Sequence, residues 1–209
     1  MTRVRLGNLL IVTGPSGTGK STLLRRLIDE VAGLVFSVSH TTRAPREGEL
    51  DGRDYHFVDE GTFADLVRGD AFLEHALVHG HWYGTSRAHL EEWLVRGTDV
   101  VLDIDVAGAD QVRAKRPEAN AIFILPPSFD ELRGRLRTRA QDSDEVIATR
   151  LANATAEVRA VQRYDYAIIN RDLDTCYAEL KAIVLADRHR VWRQRAGLTT
   201  VLATFPEFK

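Results

Sequence analysis

Residues 8–32 read NLLIVTGPSGTGKSTLLRRLIDEVA. A short apolar run gives way to GPSGTGKS at 14–21, which opens a segment whose Leu23, Leu24, Leu27, Ile28 and Val31 recur at helical spacing. Strand, glycine-rich turn and helix, with G-x-x-x-x-G-K-[ST] across the junction, make a phosphate-binding loop. Gly14, Gly17 and Gly19 let the backbone curl so that successive N–H groups point inward, and the helix N-terminus adds partial positive charge. Lys20 is expected to reach the outer phosphates of a nucleoside triphosphate. The Ser21 hydroxyl is the expected ligand of a Mg2+ shared with those phosphates and with waters. Pro15, Ser16, Thr18 and Thr22 complete the stretch read as the triphosphate site.

Outward from this junction, strand-like and helix-like segments alternate. The patterns predict strands at 33–39, 55–58, 71–80, 99–105, 121–126 and 166–170. Helices are predicted at 60–70, 86–97, 128–139, 143–162 and 173–195, with one more running from the end of the 99–105 strand to about residue 116. Such alternation implies right-handed βαβ units, so the fold class is α/β: a P-loop core with a central parallel sheet flanked by helices. The short strands and turns of 40–97 break the rhythm and read as an inserted subdomain, and the charged helical pair at about 128–162 as a second excursion. The core is then about 1–39, 98–127 and 163–195 of a single domain, and 199–209 shows no pattern.

The 209 residues carry 28 Lys and Arg against 30 Asp and Glu, a net charge of −2. No global basic field would recruit nucleic acid or an anionic membrane, so any phosphate binding must be local. Cys176 is the only cysteine, which excludes an internal disulfide and a Cys-rich zinc site and suits a reducing cytoplasm. No apolar run approaches the roughly 20 residues that span a bilayer, and residues 9–12 are too short for a signal-peptide core. The expectation is a soluble cytoplasmic protein.

Three further patterns carry chemistry. SVSHTTRAPREGELDGRDY, at 37–55, begins as a strand and turns into a stiff cationic loop. Arg43 and Arg46, with the phenols Tyr55 and Tyr83, supply donors for a phosphate monoester, arginine contributing its planar fork. Glu74 is a lone acid in the apolar run FLEHA, where a carboxylate is costly unless paired. Guanine offers it two adjacent donors, N1–H and N2–H2. In VVLDID, Asp103 and Asp105 are expected on one strand face as candidate magnesium carboxylates. In ELRGRLRTRA, Arg135 and Arg139 share a helix face at i, i+4, while Leu132 and Leu136 mark the buried one. His75, His79 and His81 lack a metal-ligand spacing, Cys176 reads as a packed thiol, and Trp93 with Leu90 and Leu94 as ordinary core.

GPSGTGKSTLL, SVSHTTRAPREGE, FLEHA, WYGTS, LDID, FILPPS, RAQDS and YAIIN occur in an order and spacing that resemble the guanylate kinase family, across residues 8–195. The resemblance implies ATP-dependent phosphorylation of GMP, and of dGMP, by direct phosphoryl transfer, with Mg2+ accompanying ATP. It makes 40–97 the GMP-binding region and 128–162 a lid. It implies that Arg43, Arg46, Tyr55 and Tyr83 hold the GMP phosphate, and that Ser39, Glu74, Thr85 and Asp103 read the guanine. Arg135, Arg139 and Arg150 would meet the ATP phosphates, and Asn170 would look toward the adenine. Asp105 would orient magnesium or its waters. Ala140, where the family's lid carries glycine, and Arg171, where an acid is common, depart from the pattern. On the residues alone two other readings stay open: a phosphoprotein-binding module and a kinase for another small phosphorylated acceptor. The intact phosphate loop weighs against the first and the guanine-reading set against the second.

Overall fold

β1 (Leu9–Thr13) is buried along its whole length, as a strand sandwiched between helices on both faces must be. The computed structural model describes residues 5–78, 80–138 and 143–208. After β1 come α1 (Lys20–Glu30), β2 (Leu34–Phe36), β3 (His40–Thr41), β4 (His56–Phe57), α2 (Glu60–Arg68), β5 (Phe72–Val78), β6 (His81–Ser86) and α3 (Arg87–Val95). The chain continues through β7 (Asp99–Asp103), α4 (Val106–Lys115), β8 (Asn120–Leu125), α5 (Phe129–Thr138) and α6 (Asp144–Val158). A 3₁₀ turn (Arg159–Arg163), β9 (Tyr166–Ile169), α7 (Leu173–Asp187), α8 (Arg195–Leu202) and a last 3₁₀ turn (Pro206–Phe208) complete it.

Five strands form a parallel sheet in the order β2-β7-β1-β8-β9. Alternation along β1 divides the core. Leu10 and Val12 pack with Leu23, Leu24 and Leu27 of α1 and Leu180 and Val184 of α7. Leu9 and Ile11 pack with Leu90 of α3 and Ala109 and Val112 of α4. Each fully buried leucine stabilises the fold by about 1.5–3 kcal/mol. The phosphate loop leaves the carboxyl end of β1, where ligands of open α/β sheets bind.

A second sheet, in the order β4-β3-β6-β5, mixes parallel and antiparallel pairs within residues 40–86. Phe63 of α2 stacks near Phe72 and Trp82 at ring separations of 4.7 and 5.9 Å, giving this sheet its own apolar support. α5 and α6 pair through Leu132, Leu136, Ile147 and Ala154.

Several boundaries differ from the sequence expectation. The predicted strand 99–105 ends at Asp103, and Asp105 lies beyond it as the N-cap of α4, accepting from the Gly108 N–H at 2.7 Å. The two carboxylates therefore do not share a strand face. The helix predicted to run to 195 stops at Asp187, whose buried carboxylate draws Arg190 and Arg193 back onto it at 2.6 and 2.8 Å. β3 and β6 were not anticipated as strands.

Candidate active site

Gly14 has φ 148°, and a Cβ there would lie 2.1 Å from the Ile124 carbonyl oxygen; only glycine fits between β1 and β8. Gly19, at φ 90°, caps α1, and a Cβ would meet Asn170 Nδ2 at 2.7 Å. The loop thus winds tightly into the first turn of α1, the Thr18 N–H donating to the Pro15 carbonyl at 3.3 Å, and lines a cleft of about 770 Å3. Lys20 hydrogen-bonds the loop's own Gly14 carbonyl through Nζ.

That one cleft is lined by residues 14–21 and, across from them, by Ser39, Tyr55, Glu74, Tyr83, Thr85, Asp103 and Asp105. β7 carries Asp103 to the cleft floor. The residue is exposed in the open cleft, yet the protein around it displaces enough water to raise its carboxyl above the ordinary range, with Lys20 opposing the rise. Glu74 stands on β5, only 4% exposed, and accepts from Thr85 Oγ1 at 2.5 Å. Desolvation pushes its pKa up to about 7 against the Thr85 hydrogen bond, and the nearby Asp105 adds to the rise.

Arg43, expected in the site, does not itself line the cleft but packs on residues that do, Tyr55 and Glu49. Its guanidinium lies over the Tyr55 ring, 5.2 Å from the centroid, and Tyr55 and Tyr83 meet edge to face at 5.9 Å. Burial raises the Tyr55 phenol, so it stays a neutral donor. Arg43 donates to Glu49 Oε1 at 2.9 Å, and the Arg46 N–H donates to Oε2 at 2.7 Å. The Glu49 hydrogen bond is the main reason the guanidinium is held further above its ordinary range. Two arginine positions thus converge on one carboxylate.

Not every expected residue lines the cleft. Arg46 is exposed on the loop and enters through its backbone alone. Thr22 faces a shallower neighbouring depression. Asn170 is buried behind the phosphate loop, where its Nδ2 donates to the Thr18 carbonyl at 2.7 Å and its own carbonyl accepts from Arg135 at 2.9 Å. Arg150 lies midway along α6. Arg139, Ala140 and His79 lie outside the described residues. Among the described residues no group of three or more His, Cys, Asp or Glu could hold a metal ion, and no helix is long and apolar enough to cross a membrane.

The cleft also contains groups that sequence reasoning passed over. Glu49, Arg53 and Asp54 of the cationic loop line it, as does Glu157 at the end of α6. Burial raises the Glu157 carboxyl, with Lys20 opposing and Asp105 adding to the shift, so the three share one field. Glu157 sits in an ordinary amphipathic helix and only tertiary packing brings it to the loop; Glu49, six residues from Arg43, could have been noticed as its counter-charge.

The sequence profile of the family described as guanylate kinase matches residues 6–187. Guanylate kinase from Escherichia coli strain K12 is 52% identical over 191 residues, 90% of this chain and 92% of that protein. The crystal structure of guanylate kinase from Anaplasma phagocytophilum aligns at a TM-score of 0.77 and 33% identity over 97% of each chain. TT1252 from Thermus thermophilus, at 16% identity and a TM-score of 0.51 over 88% of this chain and 98% of that one, shares the fold alone. By profile, sequence and structure, the chain belongs to the guanylate kinase family.

Proposed function

We propose that the protein transfers the γ-phosphoryl group of ATP to GMP, and to dGMP, yielding ADP and GDP or dGDP by direct in-line displacement. The observation that carries this reading is one cleft lined by the phosphate loop and by the buried Glu74 carboxylate with Tyr55 and Tyr83, Arg43 lying against the Tyr55 ring just outside it. The loop N–H groups and Lys20 hold the donor phosphates. Arg43, Tyr55 and Tyr83 grip the acceptor phosphate, with Arg46 joining from the loop. Glu74, bonded to Thr85, accepts from guanine N1–H and N2–H2, with Ser39 and Asp103 beside it. Holding the two phosphates in line supplies most of the acceleration such transfers need.

Charge that develops on the moving group is met by Lys20 and by the lid arginines Arg135, Arg139 and Arg150. Arg135 would leave the Asn170 carbonyl as residues 128–162 close over the cleft. The oxygen donors here, Ser21 with Asp103 and Asp105 lining the same cleft, suit Mg2+, a hard cation. Bound with the ATP phosphates, Mg2+ would neutralise the transferring group, with Ser21 and the Asp105 carboxylate on its side of the cleft. We divide the chain into a core (about 1–39, 98–127 and 163–195), a GMP-binding region (40–97) and a lid (128–162), and place it in the cytoplasm among the enzymes of purine nucleotide metabolism.

A coupled ADP-release assay with GMP, dGMP, AMP, UMP, CMP and no acceptor tests the assignment. ADP release should follow GMP and dGMP, with AMP poorer by about 10⁴-fold, because bound adenine leaves Glu74 unpaired against a ring lone pair. Comparable turnover of AMP, or no acceptor-dependent release at all, would overturn it.

A further inference from the structure

β5 is an edge strand of the four-stranded sheet, and its outer backbone is bonded by side chains of a core helix instead of by another strand. Gln111 of α4 forms a two-way pair with His75: the His75 N–H donates to Oε1 at 3.2 Å, and Nε2 donates to the His75 carbonyl at 2.9 Å. One turn on, Lys115 Nζ donates to the Leu73 carbonyl at 2.7 Å. Residues 73 and 75 flank Glu74, so both peptide neighbours of that carboxylate are bound to α4. The third contact is an absence. A Cβ at Gly108 would lie 2.8 Å from Glu74 Oε2 and 3.3 Å from Asp105 Oδ1, so the carboxylate occupies space a side chain would take. Positions 108, 111 and 115 follow at i, i+3 and i+7 on one helix face, while Ala109 and Val112 bury α4 against the five-stranded sheet.

Resting on the assignment of Glu74 as the guanine acceptor, we propose that α4 is the gauge that fixes the depth and angle of its carboxylate. Gly108, Gln111 and Lys115 are then positioning residues for base discrimination. A two-point acceptor tolerates little displacement, because hydrogen bonds weaken steeply outside their distance and angle ranges. Registering β5 to the core ties Glu74 to the frame that carries the phosphate loop, so base and phosphoryl group are placed against one reference. Alanine at 108 strains no backbone, since Gly108 has no positive φ, and the groups it meets are side-chain ends, Glu74 Oε2 first and Asp105 Oδ1 next. It is costly for recognition, since the first of these atoms belongs to the carboxylate assigned to guanine and any shift of it turns both acceptor oxygens.

The experiment compares GMP with inosine monophosphate, which keeps N1–H and lacks the 2-amino group, so the ratio of kcat/KM reads the second hydrogen bond. Gly108→Ala and Gln111→Met are measured in the wild-type and Glu74→Gln backgrounds, with KM for ATP and Tm recorded for each. Gly108→Ala should hold or raise Tm, alanine being the better helix former, yet lower the GMP/IMP ratio by about tenfold, the scale of one lost charge-assisted hydrogen bond. Gln111→Met, of similar volume, should lower it in the same direction with KM for ATP unchanged. In the Glu74→Gln background neither change should move the ratio further. Contacts that merely fasten the two sheets would affect GMP and IMP alike. A ratio unmoved by both α4 variants while Glu74→Gln lowers it would overturn the gauge and leave Glu74 as the reader. A ratio unmoved by Glu74→Gln would remove the reader itself, and the gauge with it.

Discussion

At neutral pH Glu74 stands near its own midpoint, because burial pushes its pKa from the ordinary 4.5 to about 7. On the proposed role of Glu74, guanine binding requires the ionised form, so kcat/KM for GMP should fall as pH drops below about 7. In Glu74→Gln that limb should vanish, leaving only the titration of the GMP phosphate at about 6. A pH–rate profile of the two proteins decides it; identical profiles would count against an ionised Glu74. Stability moves the other way. Between pH 4.5 and about 7 the folded chain holds a proton that the unfolded chain has released, so stability declines as pH rises through that window and levels off above it. The Tm profile of Glu74→Gln should lack this decline. The residue was legible in the sequence as a lone acid in an apolar strand. Its depth was not, because burial depends on Thr85 and α4, elements distant along the chain.

Among elements, β3, β4 and α3 meet through three imidazoles. His40 lies 4.7 Å from His56 and 6.1 Å from His89, and the last two are 5.1 Å apart. Phe72 of β5 closes one side at 5.4 Å, and Asp51 is the carboxylate in reach. Burial pushes His40 down to about 4, with His56 and His89 acting in the same direction and Asp51 opposing. Between the ordinary 6.5 and about 4 the unfolded chain accepts a proton that the folded one refuses, so stability present above 6.5 is lost as pH falls through that window. Amide protection factors in β3 and β4, which correct for the intrinsic pH dependence of exchange, should therefore be lower at pH 5 than at pH 7, and His40→Phe should flatten the difference. β4 falls within the strand expected at 55–58, but no local pattern announced β3: it has two residues, and its partners lie 16 and 44 positions away, His56 and Gly84 against His40. β1, α1, β7, β8 and β9 were readable because each carries its own apolar period. The end of α7 was not, because Asp187 is paired by residues that lie beyond it.

A molecule of net charge −2 that takes in two polyanions must gather cations locally, and three of these are engaged by groups of the protein itself. Lys20 bonds the loop's carbonyl, Arg135 the Asn170 carbonyl and Arg43 the Glu49 carboxylate. The cationic loop was visible from 37–55, but the group that answers it was not singled out there. With Arg43 in its proposed role toward the acceptor phosphate, its pair with Glu49 gives the acceptor half a resident counterion. Arrival of a phosphate is then an exchange of one anion for another, not the filling of a bare positive site. Exchange is nearly blind to bulk salt, since the ions of the medium compete with an occupant that is covalently attached and always present. KM for GMP should therefore change only gently, within about threefold, from 50 to 500 mM salt, whereas Glu49→Gln should bind GMP more tightly at low salt and lose that gain steeply as salt rises. Through Glu49 the protein would hold its affinity for GMP steady against changes in the ionic strength around it.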